Sequence, residues 1–73
     1  MMRIKLSSPI QKIVEIDEIG YYSNLIYFHF DKVLFEVYTR ENTEQAVDEL
    51  LKDGYADLSK YTVKTKNSLV MKQ

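Results

Sequence analysis

The residues of this chain that could do chemistry are few, and they begin with a single histidine, His29. A histidine can act as a general base or bind a metal, but catalytic triads and two-histidine metal sites need further partners. The chain has no cysteine, which excludes thiolate nucleophiles and cysteine–zinc sites. Since His29 lies within a pattern typical of a β-strand, we interpret it as a strand residue and not as a catalyst.

Adjacent carboxylates offer the second possible chemistry, because a pair of acids can share a proton. Asp17 and Glu18 are adjacent, but they directly precede Gly20, so we interpret them as a solvated turn. With no other catalytic pattern in the chain, we predict that the protein is not an enzyme.

A calcium loop is the third possibility, because Asp53 and Asp57 flank Gly54. Such a loop needs oxygen ligands at alternating positions, a glycine between them and a glutamate at the end. Tyr55 and Lys64 stand where ligands are required, so the pattern fails. We predict no metal site and no cofactor.

Composition indicates an ordinary globular chain of 73 residues, 45% apolar and 29% charged, which we treat as a single domain over residues 1–73. The formal net charge of −1 disfavours a strong electrostatic attraction to nucleic acid or anionic lipid. No apolar run approaches the roughly 20 residues needed to span a bilayer, and no signal peptide follows the N-terminal charges, so we expect a cytoplasmic protein. Abundant Lys, Ile and Tyr are typical of an AT-rich bacterial or phage genome.

The clearest structural pattern is a β-hairpin over residues 25–38 with its tip at Asp31 and Lys32. Strand pairing about this tip places six apolar residues on one face, and a slip of one residue would mix the two faces. Two-residue turns prefer Asn-Gly or Asp-Gly, and Lys32 would need a positive φ, so a four-residue type I turn is an alternative. The predicted inward residues are Ile26, Phe28, Phe30, Val33, Phe35 and Val37.

An amphipathic helix is predicted over about residues 43–53. Ala46, Val47, Leu50 and Leu51 form its apolar stripe, and Gly54 is suited to end it. Asn42 or Thr43 could cap its start, and Gln45, three residues after Asn42, would complete a capping box.

Alternation predicts further strands over residues 2–6 and 60–65 and a brief one over 69–71. Residues 10–16 fit either a strand, because they are rich in β-branched side chains, or a helix capped by Ser8 with Pro9 at its first position. The predicted fold is therefore α+β, a small, mostly antiparallel sheet of four to five strands with the helix packed on one face. The predicted core comprises Ile26, Phe28, Phe30, Phe35, Val37, Val47, Leu50 and Leu51.

A second group of large side chains falls on the sheet face that one helix cannot cover. Tyrosine is a good strand former, and single exposed apolar residues are common, so this face could simply be solvated. A contiguous group is more typical of a contact surface. The predicted interaction face comprises Leu25, Tyr27, His29, Leu34 and Tyr38, with Tyr21 on the same side by alternation.

Two functions would use this face. The first is protein association, as a homodimer or with a partner protein, because tyrosine gives large contact area at low entropic cost. The alternative is binding of single-stranded nucleic acid, with aromatic rings stacking bases and lysines contacting phosphates. Glu36 within the platform counts against this alternative. The lysines considered for it are Lys60, Lys64, Lys66 and Lys72.

Overall fold

The computed structural model describes residues 1–7 and 12–67, which form an α+β fold as the sequence predicts. A short 3₁₀ turn, Arg40–Asn42, leads into the single α-helix of this part of the chain. The elements are β1 (Met2–Leu6), β2 (Lys12–Ile16), β3 (Gly20–Tyr21), β4 (Ile26–Phe30), β5 (Val33–Tyr38), α1 (Thr43–Asp53), β6 (Tyr55–Asp57) and β7 (Thr62–Asn67).

The described strands divide between two sheets, where the sequence suggested one. The three-stranded sheet has the order β2-β1-β6, with β1 antiparallel to β2 and parallel to β6. The four-stranded sheet has the order β3-β4-β5-β7, and all its pairs are antiparallel. Neither β3 nor β6 was predicted, because strands of two and three residues are too short to show a period.

One core joins the inner faces of both sheets to the apolar stripe of α1. Six of the eight predicted core residues are buried, and Phe30 is half-buried against the core. Leu51 is 68% exposed, so its assignment to the core was wrong. Within the core, Phe28 and Phe35 stack with ring centroids 5.2 Å apart. The core also includes Ile4, Leu6, Val14, Ile16, Ala46, Ala56 and Leu58.

The β4–β5 hairpin has the predicted register, with Ile26 opposite Val37 and Phe28 opposite Phe35. The turn differs from the type I alternative, because φ is 55° at Asp31 and 64° at Lys32. Two consecutive left-handed residues give the turn a twist that matches the right-handed twist of the flanking strands. A type I turn would splay these strands apart. The hairpin therefore keeps its twist although Lys32 has an unfavourable φ.

The bounds of α1 match the predicted residues 43–53, but the predicted cap at its start is absent. Gly54 ends the helix with a φ of 70°, and its N–H donates to the Leu50 carbonyl at 3.0 Å. No side chain caps the start: Asn42 makes no capping hydrogen bond, so the predicted capping box is absent. The Asn42 amide Nδ2 donates to the Tyr61 hydroxyl at 2.7 Å. Thr43 Oγ1 donates instead to the Arg40 carbonyl at 3.0 Å and anchors the 3₁₀ turn.

The ambiguity over residues 10–16 is resolved where the structure describes them. Lys12–Ile16 is a strand that pairs along the whole length of β1, so the helix alternative is wrong for these residues. The brief strand predicted over 69–71 lies outside the described residues. The strand predicted over 60–65 is β7, shifted to Thr62–Asn67.

Candidate interaction surface

The register of the four-stranded sheet defines one continuous surface that faces away from the core. Tyr27 lies opposite Glu36, and Glu36 lies opposite Lys64. Because directly opposed residues in antiparallel strands share a face, these side chains form a row across three strands. We call this surface the outer face. Its members are Gly20, Tyr27, His29, Leu34, Glu36, Tyr38, Thr62, Lys64 and Lys66.

Tyr27 is held on the outer face by contacts within the chain. It lies opposite Gly20, and a Cβ atom at that position would overlap the Tyr27 ring. On the same side, the Tyr22 and Tyr27 rings approach with centroids 5.3 Å apart and planes tilted by 34°. The aromatic ring thus covers the glycine backbone, a known way to stabilise a glycine in a sheet. Tyr27 is consequently half-buried before any partner binds.

This packing predicts that Gly20→Ala destabilises the protein by about 1–3 kcal/mol, because the added methyl group displaces the Tyr27 ring. In a Tyr27→Ala background the same change is expected to be neutral or to stabilise by up to about 1 kcal/mol, since alanine is less flexible than glycine. Urea unfolding of the four members of this cycle measures the coupling. An equal loss in both backgrounds would show that the ring does not occupy this position.

Tyr38 is tied into the charges at the centre of the outer face. Its hydroxyl donates to Glu36 Oε1 at 3.3 Å, and Lys64 Nζ lies 5.4 Å from its ring centroid. Burial, together with the Glu36 carboxylate, raises the pKa of the Tyr38 hydroxyl above its usual value. The Glu36 carboxylate also lies opposite Lys64, so this part of the face is polar but close to neutral.

Leu34 is the aliphatic side chain of the outer face. It lies on β5 between His29 on β4 and Lys66 on β7, and it is half-buried. His29 is exposed. Leu34 therefore contributes apolar area that solvent reaches, between two groups that can carry positive charge.

Four of the five predicted interaction residues lie on this face, and the fifth, Leu25, does not. Leu25 precedes β4 and is buried, so its prediction as an exposed contact residue was wrong. Its carbonyl accepts a hydrogen bond from the Tyr22 N–H at 2.9 Å in the turn between β3 and β4. Tyr21 also departs from the prediction. It lies opposite Ile26, on the inner side of the sheet edge, although it is 55% exposed.

The carboxylates considered in the sequence occupy two separate places. Asp17 and Glu18 line a cavity of about 430 Å³ that Tyr27 and His29 also line, a proximity that no spacing in the sequence indicated. Asp57 accepts hydrogen bonds from the Ser59 hydroxyl at 2.6 Å and from the Ser59 N–H at 3.1 Å, which lower its pKa. Asp57 thus closes a local turn.

A second cavity, of about 370 Å³, borders the outer face at the start of β7. Its lining includes Tyr38, Arg40, Lys60 and Tyr61. Lys60 Nζ lies 5.3 Å from the Tyr61 ring centroid. Lys60, Lys64 and Lys66 therefore follow one edge of the sheet, while Lys72 lies outside the described residues.

Within residues 1–7 and 12–67, no three His, Asp or Glu side chains are grouped so that they could hold a metal ion. In the same part of the chain, no helix has both the length and the apolar character needed to cross a membrane. No family model matches this chain, and comparisons with curated proteins and with solved structures found no significant match.

Proposed function

We propose that this protein is a small, non-enzymatic interaction protein of the cytoplasm that self-associates through the outer face. The observation that carries the proposal is the position of Tyr27, Leu34 and Tyr38. All three are partly solvent-accessible and lie on the sheet face that points away from the core. The core on the other side includes residues of α1 and of the three-stranded sheet. A second copy would cover this apolar area.

The chemistry of the outer face suits a non-obligate contact. Tyrosine is enriched in such interfaces because its large ring loses little conformational entropy on binding. Hiding apolar surface from water contributes about 25 cal/mol per Å². The pairing of Glu36 with Lys64 leaves the centre of the face with little charge to repel another copy. A two-fold arrangement would bury the same patch on both chains.

Leu34→Glu is the variant that tests this proposal. The new carboxylate would lie opposite Lys66, which favours the folded chain, but two copies would bring two carboxylates into the contact. We expect the wild type to sediment as a dimer at about 100 μM, a concentration that nearly saturates a Kd of about 1 μM. We expect Leu34→Glu to be a folded monomer.

Ile13→Glu is the matched control, because Ile13 is 51% exposed on the three-stranded sheet and lies opposite a lysine, Lys5. Like Leu34→Glu, it replaces an aliphatic side chain with a carboxylate opposite a lysine, but outside the outer face. It should therefore leave the dimer intact. A monomeric wild type at about 100 μM, or equal loss of the dimer in both variants, would contradict self-association through the outer face.

Single-stranded nucleic acid is the second candidate, favoured by the position of Lys64 and Lys66. They lie on the strand next to Glu36 and Leu34, on the same face as Tyr27 and Tyr38. Two contacts count against this function, because they occupy rings that would have to stack on bases. Lys64 Nζ lies over the Tyr38 ring, and the Tyr27 ring packs against Tyr22. Fluorescence anisotropy with labelled oligothymidine tests it. Binding that weakens steeply with salt and is lost in Lys66→Glu would favour this function over association.

A further inference from the structure

β7, with six residues, is the longest edge strand in the described part of the chain. It pairs with β5 over six consecutive positions, from Thr62 opposite Tyr38 to Asn67 opposite Val33. In the described part of the chain, no strand lies on its other side. The other sheet edges, β2, β3 and β6, have five, two and three residues. An edge of this kind presents backbone N–H and C=O groups to another extended chain.

The side chains of β7 determine what kind of chain fits. Lys64 and Lys66 are exposed, two residues apart, on the outer face. Lys66 lies opposite Leu34, so it has no acidic residue across the strand pair on that side. A strand added to the free edge would place its own side chains opposite these lysines, where carboxylates would be favourable and further lysines would not.

The opposite side of β7 adds a second requirement. Val63 is half-buried and packs against the core, and Thr65 follows it on the same side. An added strand would place its intervening side chains next to them, where β-branched apolar residues pack well. The edge therefore fits an alternation of acidic and β-branched residues.

A second copy of β7 is a poor occupant of this edge. Antiparallel pairing that continued the outer face across two copies would bring the lysines of one β7 beside the lysines of the other. Edge lysines of this kind prevent identical sheets from joining. The same charge attracts a chain of opposite sign.

We propose that β7 binds an extended acidic segment of a partner protein by strand addition, extending the four-stranded sheet. Backbone hydrogen bonds to β7 would supply much of the affinity, and acidic residues at alternate positions, opposite Lys64 and Lys66, would supply the specificity. This contact uses the sheet edge and does not depend on self-association through the outer face.

The test uses a short fluorescein-labelled peptide in which glutamate alternates with valine, and it measures binding to the full chain by anisotropy. Only alternate N–H groups of an added strand point toward β7. N-methylation of one alternate set should therefore weaken binding at least about tenfold, while N-methylation of the other set changes it little. Equal effects of the two modifications would show that charge alone holds the peptide, and would overturn the proposal.

Lys66→Glu is expected to weaken peptide binding at least about tenfold, because it replaces an attraction with a repulsion at the edge. Lys52→Glu, at an exposed position on α1, makes the same change in net charge and should have little effect. Lys66→Ser removes the charge without reversing it, and we expect it to weaken peptide binding less than Lys66→Glu does. Circular dichroism checks that each variant is folded.

Three further results would overturn strand addition by an acidic peptide: no saturable binding up to about 1 mM, equal loss in Lys66→Glu and Lys52→Glu, or binding of oligothymidine in preference to the peptide. The sedimentation of Leu34→Glu reports separately on self-association. Failure of one proposal is thus distinguishable from failure of the other.

Discussion

We expect Val37→Asp to leave little or no folded protein. Val37 is fully buried on β5, between Ile26 on one side and Val63 on the other. An unpaired carboxylate in this position costs at least about 4 kcal/mol. At typical values per residue, a chain of 73 residues has a total stability of only about 4–11 kcal/mol. Far-ultraviolet circular dichroism and urea titration measure the loss.

Glu36→Val, one position away, is the control for Val37→Asp. Glu36 is half-buried on the outer face, so valine would gain apolar contact there, lose the hydrogen bond from Tyr38 and remove the carboxylate opposite Lys64. Cross-strand pairs of this kind contribute about 0.2–1 kcal/mol each, and the domain should stay folded. If Glu36→Val unfolds the protein as completely as Val37→Asp does, the two faces of β5 have been assigned wrongly.

The second large effect is expected at adjacent leucines of α1. Leu50 is 1% exposed and Leu51 is 68% exposed, although both belong to the apolar stripe predicted from the sequence. Leu50→Ala should therefore lower the free energy of unfolding by about 2–5 kcal/mol, because it leaves a cavity. Leu51→Ala should change it by less than about 0.5 kcal/mol.

The two alanine variants make a stringent comparison, because the residue removed, the residue introduced and the helix are the same. Helix propensity changes equally in both, so the difference in urea midpoint measures burial alone. Comparable losses at the two positions would mean that α1 is rotated on the sheets, with Leu51 facing the core.

The hairpin could be predicted from the sequence because its information is local. A side-chain period of two and a two-residue tip define every pair from Phe30 opposite Val33 to Ile26 opposite Val37. The end of α1 at Gly54 was predicted for the same reason, since glycine adopts the left-handed conformation that ends a helix without help from distant residues. The α+β class followed, because an amphipathic helix beside alternating strands must bury its stripe on a sheet.

The missing cap of α1 shows where local reasoning fails. The sequence offered Asn42 as a cap, but Asn42 ends the 3₁₀ turn with φ −96° and ψ 12°, whereas a capping residue usually has β-region angles. Its amide Nδ2 donates to the hydroxyl of Tyr61, 19 residues along the chain, a contact that only the tertiary structure creates. The turn at Asp31 and Lys32 has a related cause, because the twist of the paired strands overrode the preference of lysine for negative φ.

The candidate surface was predicted only in part. Alternation placed Tyr27, His29, Leu34 and Tyr38 on one face, and their register on the sheet agrees. It could not show that the Tyr27 ring covers Gly20, because this contact depends on the pairing of β3 with β4. It could not show that Leu25 is buried either, since Leu25 lies before the strand begins, where the period no longer applies.

By itself, the sequence determined the hairpin register, the extent of the helix and the alternation of the outer face, because all three follow from periodicity and turn chemistry over short distances. Only the tertiary structure decided how the strands divide between two sheets, because the pairing of β1 with β6 joins residues about 50 positions apart. No local sequence pattern indicates the three-residue strand β6 or the position of β7 at the edge of its sheet. Such features exist only once distant strands have been placed side by side.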